Sequence, residues 1–136
     1  MTLKIATWNV NSLTIRSQQV LDWLAAQAEG EKIDALGLQE LKLTDDKFPY
    51  AAFEEAGYSA QVFGQKTYNG VAWLVRNSAI TTVKDVQKNI PGFADEQSRI
   101  IAATLQTALG SVRVVNGYFV NGQAPGTEKF EYKMSW

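Results

Sequence analysis

Residues 3–8 form a short apolar-rich run that ends abruptly in the polar cluster Asn9-Val10-Asn11-Ser12, the pattern of a strand running into a turn. The pattern then changes period. Val20, Leu21, Leu24 and Ala28 fall at helical spacing, which predicts a helix over 15–28 with Gly30 placed to close it. A second apolar run at 33–38 stops at Gln39-Glu40. Strand, helix, strand within about 40 residues is a βαβ unit, so the first two strands should be parallel neighbours. Pro49 opens a short helical stretch at 50–56, and Gly57 ends it. Beyond Gly57 the chain alternates like a β protein, with strands expected at 58–63, 70–76, 80–86, 99–107 and 111–119 and a tight connection at Leu109-Gly110. Residues 121–126 hold two glycines and a proline, which is loop chemistry. Thr127 can cap a last helix over 128–136, where Phe130 and Met134 share one face and Lys129 and Lys133 another. That helix reaches the final residue with no closing signal, so the chain reads as cut within it, the alternative being a frayed terminal helix. No internal repeat, low-complexity tract or linker interrupts this α/β order.

Composition narrows the chemistry. The 136 residues fit one domain. A domain of this size buries about two thirds of its unfolded surface, which is enough for a core. Thirteen basic and fourteen acidic side chains give a net charge of -1, which excludes a strongly basic nucleic-acid coat but not a local patch. The charge is uneven. Residues 1–60 hold five basic and nine acidic side chains, and residues 61–136 hold eight and five, so a phosphate-facing surface belongs to the second part. The sequence contains no Cys and no His. Thiol chemistry, disulfides and zinc-cysteine sites are excluded, and the commonest general base is missing. Any metal must be held by oxygen, which means magnesium, calcium or manganese. The amino terminus lacks the long apolar stretch of a signal peptide, and no run reaches the roughly 18 residues of a membrane span. A soluble, reducing compartment is the simplest expectation.

Glu40 stands apart from the other carboxylates. Glu29, Glu31, Glu54 and Glu55 belong to helices or turns, whereas Glu40 directly follows the apolar run Ala35-Leu36-Gly37-Leu38. Asn9 follows the first strand in the same way. If the strands are parallel neighbours, both side chains emerge at one sheet edge, where α/β sheets build their sites. A carboxylate and an amide oxygen make half of a hard-cation site of the kind magnesium occupies with several waters retained. Spacing alone also fits a loop start at Glu40 and a turn cap at Asn9. Likewise Tyr118 ends a strand where packing would suffice, Arg99 could be a strand-edge charge, and Asn69-Gly70 is turn chemistry in its own right.

The words themselves carry a resemblance. Thr7-Trp8-Asn9-Val10-Asn11-Ser12 and Leu38-Gln39-Glu40-Leu41-Lys42 resemble the opening motifs of the exonuclease III and AP endonuclease family, in the endonuclease/exonuclease/phosphatase superfamily. The likeness continues through Phe48-Pro49, Gly64-Gln65-Lys66, Asn69-Gly70-Val71-Ala72, Arg99-Ile100-Ile101-Ala102-Ala103, Asn116-Gly117-Tyr118-Phe119-Val120-Asn121-Gly122 and Lys129-Phe130-Glu131-Tyr132-Lys133. The resemblance implies the amino-terminal half of a four-layer α/β sandwich, a single partial domain over 1–136, because family members are about twice as long. It implies a magnesium site, with manganese as a substitute, in which Glu40 binds the metal and Asn9 assists as a ligand and orienting group. Tyr118 takes the place of the active-site tyrosine that donates to the scissile phosphate. Asn11, Lys42, Lys66, Tyr68, Asn69, Arg99 and Asn121 take the places of residues that face DNA or phosphate.

The expected activity is therefore a DNA-repair nuclease that cuts 5′ to abasic sites and trims 3′ ends of double-stranded DNA. The expected setting is the cytoplasm, on the nucleoid during action, with no membrane partner. The family's later Asp-x-Asn strand end, further Asp and Asp-His pair have no counterpart here. The chain alone thus has metal and phosphate contacts but no base for the attacking water, and is expected to be inactive. Two other readings share the residues: a superfamily phosphatase acting on lipid or inositol phosphates, and a non-catalytic fragment. The full-length form is expected to be a monomer. The fragment is expected to leave one apolar sheet face uncovered and to self-associate through it.

Overall fold

The computed structural model describes residues 3–28, 30–89 and 98–118. The predicted terminal helix and Asn121 lie outside them. In chain order the elements are β1 (Ile5–Asn9), α1 (Leu13–Ala26), β2 (Ala35–Gln39), a single 3-10 turn (Asp45–Lys47), α2 (Tyr50–Glu55), β3 (Tyr58–Phe63), β4 (Val71–Arg76), β5 (Ile80–Lys88), β6 (Ile100–Thr107) and β7 (Gly110–Gly117). They form two sheets, one in the order β1-β2-β4-β3 and one in the order β5-β6-β7. β1 and β2 are parallel, as the βαβ pattern requires, with Ile5 opposite Ala35 and Asn9 opposite Gln39. The other pairings are antiparallel.

The two sheets pack face to face, and the helices cover the outer face of the first. On the helix side, Leu13, Val20, Leu24 and Phe53 pack on Leu36, Leu38, Val62, Ala72 and Leu74. On the other side, Ala35, Val71, Trp73 and Val75 meet Ile101, Ala103, Leu105 and Val114 of the second sheet. β2 is covered on both faces and all five of its residues are buried, which is why its sequence is a run and not an alternation. β1 alternates instead. Ala6 and Trp8 pack toward the helices, while Ile5, Thr7 and Asn9 on the opposite face are exposed.

Two expectations are corrected here. The first sheet does not present a whole apolar face to solvent, because the second sheet covers its β2 and β4 strands. The outward face of the second sheet is mainly polar, with Thr82, Lys84, Gln87, Thr104, Gln106 and Arg113 along it. Among the described residues, exposed apolar side chains such as Ile5, Val86 and Val115 are scattered and form no single apolar sheet face. The hairpin between β6 and β7 turns at Ala108-Leu109, one residue earlier than expected; Gly110 with φ 121° already pairs with Thr107.

α1 also begins two residues earlier than its periodicity suggested. The N–H groups of Ser12 and Leu13 donate to the carbonyls of Glu40 and Leu41, at 2.8 and 3.0 Å. The loop after β2 thus supplies partners for the helix entry, where local sequence would have needed a side-chain cap.

At the far end of the first sheet, Asp34 ties three strands. One of its oxygens accepts from the Lys4 backbone N–H at 2.9 Å, and the other from the Arg76 guanidinium. Its own carbonyl accepts from the Arg76 N–H at 2.8 Å. Asp34→Ala should cost about 3 kcal/mol in urea denaturation, the low end for a broken buried pair because Arg76 can still reach water. A loss under about 1 kcal/mol would show that solvent replaces the carboxylate at little cost.

Candidate functional site

The carboxyl ends of β1 and β2, the start of β6 and the end of β7 meet at one edge of the molecule. Backbone hydrogen bonds stitch them together. The Val10 N–H donates to Gln39, Leu41 N–H to Gly70, Lys42 N–H to Asn69, Gly70 N–H to Ser98, and Tyr118 N–H to Arg99, at 2.8 to 3.1 Å. Among the described residues, eight non-glycine positions have positive φ, and six of them lie in these loops: Asn11, Ser12, Glu40, Lys42, Thr67 and Asn69. Each such residue costs of order 1 kcal/mol or more and persists only where its surroundings fix it. The carbonyl of Glu40 and the N–H of Lys42 are both held in the stitch, which fixes two of them.

Glu40 is the first residue beyond β2, and its φ of 55° breaks the strand alternation. Its half-buried carboxylate meets the hydroxyl of Tyr118, which is likewise the first residue beyond β7. Burial holds the Tyr118 phenol above the ordinary tyrosine range, and the Glu40 carboxylate raises it further through its charge and by accepting the phenol's hydrogen bond; the Arg99 guanidinium pulls the other way. That guanidinium sits over the Tyr118 ring, 5.2 Å from its centre. Tyr118 is therefore a neutral O–H donor at neutral pH.

Asn9 ends β1 beside Gln39, one residue from Glu40, so the parallel pairing brings the two side chains to the same edge. The Asn9 amide oxygen accepts from the Asn11 N–H at 3.1 Å and remains exposed. Lys42 donates to the Asn11 side-chain oxygen at 2.7 Å. Lys66 and Tyr68 project from the connection between β3 and β4, Tyr68 being 67% exposed. Two residues sit differently from a surface contact. Asn69 is buried, with its amide donating to Gln65 at 3.1 Å, so it shapes its loop from within. Arg99 is 8% exposed and lies against Tyr118.

Two residues that the sequence reading left as motif letters prove central. Asn116 and Gln39 point into the space between the sheets and bond to each other there. The signal was present in the strand parity: Asn116 follows Val112 and Val114 at alternate positions, and a polar residue on an inward-facing row needs a partner.

The donor set at this edge is one carboxylate and one amide oxygen with solvent access. That set suits a hard cation which keeps much of its water, as magnesium does. Among the described residues no group of three acidic, Cys or His side chains converges. No described helix is long and apolar enough to cross a membrane.

Residues 6–130 match the Endonuclease/Exonuclease/phosphatase family. The chain belongs to that family. It is 37% identical to exodeoxyribonuclease III of Haemophilus influenzae, over 94% of this chain and 48% of that protein. Among solved structures it is similar to a 3′ phosphatase from Neisseria bound to a product DNA hairpin, with TM-score 0.86 and 46% identity over 99% of this chain and 48% of the other. An AP endonuclease from Archaeoglobus fulgidus superposes with TM-score 0.82 at 35% identity, again covering 99% of this chain and 48% of the other. The chain thus spans about half the length of these relatives. The mixed α/β fold of exonuclease III and AP endonucleases is the one seen here.

The titration of Tyr118 gives a direct check on the geometry. Its raised phenol stabilises the fold below the ordinary tyrosine value, and that contribution is lost as pH rises through the folded-state value. Glu40→Gln removes the charge and should lower the Tyr118 midpoint in an alkaline absorbance titration, with Tyr118→Phe identifying the signal. An unchanged midpoint would place the carboxylate away from the phenol.

Proposed function

We propose that this chain carries the metal-holding and phosphate-contacting part of a magnesium-dependent DNA phosphodiesterase. The observation that carries it is the meeting of Glu40 and Tyr118 at one strand-end edge, within a chain of this family. Glu40, assisted by Asn9, would hold a hydrated magnesium ion; manganese suits the same oxygens. The ion, when bound, supplies polarisation of the phosphate and stabilisation of the leaving oxygen.

With phosphate bound, Tyr118 would turn its single O–H from Glu40 to a non-bridging phosphate oxygen, where negative charge grows in the transition state. Its neutral state matters, because a phenolate would repel the phosphate. Arg99 offsets charge behind the ring. Lys42, Lys66, Asn11 and Tyr68 supply contacts to the DNA backbone, and Asn121 takes that role by family resemblance.

The substrate on this reading is double-stranded DNA with an abasic site or a 3′ end, in line with relatives named as an exodeoxyribonuclease, an AP endonuclease and a 3′ phosphatase. The setting is then the cytoplasm, on the nucleoid. No His occurs in the sequence, and among the described residues Glu40 is already assigned to the metal. We assign the water-activating group to the part of the relatives' length that this chain does not span, so the chain by itself should bind metal and duplex without cutting.

The test uses the chain as it stands. Manganese binding, read by spin resonance with magnesium competition, should weaken about tenfold or more in Glu40→Gln. Affinity for an abasic duplex in calcium should change little, because backbone contacts are spread over several loops. Equal loss of both would count against Glu40 as a ligand, and absence of both in the native chain would overturn the reading. Magnesium-dependent, Glu40-dependent incision by a monomer of this length would show the site to be complete.

A further inference from the structure

Between the sheets, directly beneath the edge that holds Glu40 and Tyr118, the apolar interface gives way to two amides. Asn116 of β7 belongs to the second sheet. Its Nδ2 donates to the carbonyls of Leu38 and Ala72 in the first sheet, at 2.9 and 2.8 Å. Its Oδ1 accepts from Nε2 of Gln39 at 2.6 Å, and Gln39 also donates to Thr7 Oγ1 of β1 at 2.7 Å. Both amides are buried, at 4% and 8% exposure. Gly37 makes the space for this: a Cβ there would lie 3.1 Å from Cγ of Asn116, tighter than side chains tolerate without moving.

The positions of these groups give them a role. Gln39 immediately precedes Glu40, and Asn116 lies two residues before Tyr118. We propose that Asn116, paired with Gln39, is a positioning residue that fixes the register between the two sheets and so sets Tyr118 against Glu40. The role in catalysis rests on the phosphodiesterase reading above, but the clamp itself is a claim about geometry alone. Asn116 touches no reacting group. It acts because three directional bonds cross the sheet interface one step below the site, where the apolar contacts deeper down could hold the sheets together without fixing their offset.

The experiment compares Asn116→Leu, Gly37→Ala and the native chain, each with Glu40→Ala, with Tyr118→Phe, with both and with neither. Asn116→Leu keeps the branched shape with a somewhat larger volume and removes the three bonds. Gly37→Ala keeps the amide and displaces it. The readout is the coupling between Glu40 and Tyr118, taken from the double-mutant cycle in urea denaturation at neutral pH, with circular dichroism to confirm the fold.

In the native background the two substitutions should be non-additive, because each removes one partner of the same hydrogen bond. In the Asn116→Leu background that coupling should be largely lost, because the phenol no longer sits against the carboxylate. Gly37→Ala should reduce it in the same direction and by less. A folded Asn116→Leu chain with an undiminished coupling between Glu40 and Tyr118 overturns the proposal. If Asn116→Leu does not fold, a folded Gly37→Ala chain with an undiminished coupling overturns it. The measurement needs neither metal nor DNA. A chain that fails to bind manganese while showing the lost coupling would sink the phosphodiesterase reading and leave the clamp standing.

Discussion

The burial of β2 on both faces is the constraint from which the rest of this structure follows. A strand covered by helices on one side and a second sheet on the other can carry no charge along its length, and Ala35 to Gln39 carry none. The first place a carboxylate can emerge is the residue after the strand, and Glu40 stands there. Burial of the strand therefore selects where acidic chemistry is allowed, and parallel pairing with β1 brings Asn9 to the same edge. Had the strand been an edge strand, Glu40 could have turned to solvent anywhere and nothing would direct it toward β7.

The edge itself is held by backbone and not by side-chain packing. Positive-φ residues such as Glu40, Lys42 and Asn69 are unfavourable one by one. They persist because the carbonyl of Glu40 receives Ser12, the N–H of Lys42 reaches Asn69, and the N–H of Gly70 reaches Ser98. These bonds join segments far apart in sequence, so the strained residues share one set of partners. Cooperation of this kind explains why an exposed, polar edge keeps a defined shape while lacking a hydrophobic core of its own.

Element order was legible from pattern alone, because each strand or helix announces its period locally. β3 was placed to the residue, and the parallel start followed from the βαβ spacing. What the pattern could not show was supplied by distant partners. α1 starts at Leu13 because Glu40 and Leu41 offer carbonyls, which no local signal near Ser12 reveals. The candidate residues Glu40, Asn9 and Tyr118 stood out as polar groups at strand ends, but the approach of Tyr118 to Glu40 depends on sheet stacking, a long-range property. Asn69 looked like a surface turn residue and is buried, since its loop folds over Gln65. Gln39 and Asn116 were hidden for the opposite reason: their neighbours are apolar, and only the strand parity marks them as a pair facing inward.

That pair shows what polarity contributes inside an otherwise apolar interface. Replacing Gln39 and Asn116 by aliphatic residues would bury similar area and would avoid the desolvation of two amides. Apolar contact is non-directional, however, and two flat faces held by it can shift along a strand without large loss. The bonds from Asn116 to Leu38, Ala72 and Gln39 have one geometry each, and all three are satisfied at a single offset. Trp73 adds a fourth bond across the interface, from its indole N–H to the Ile101 carbonyl at 3.2 Å. Apolar packing thus holds the sheets together, and these few polar bonds determine where one sheet lies on the other. A site assembled from the ends of strands in both sheets depends on the second of these as much as on the first.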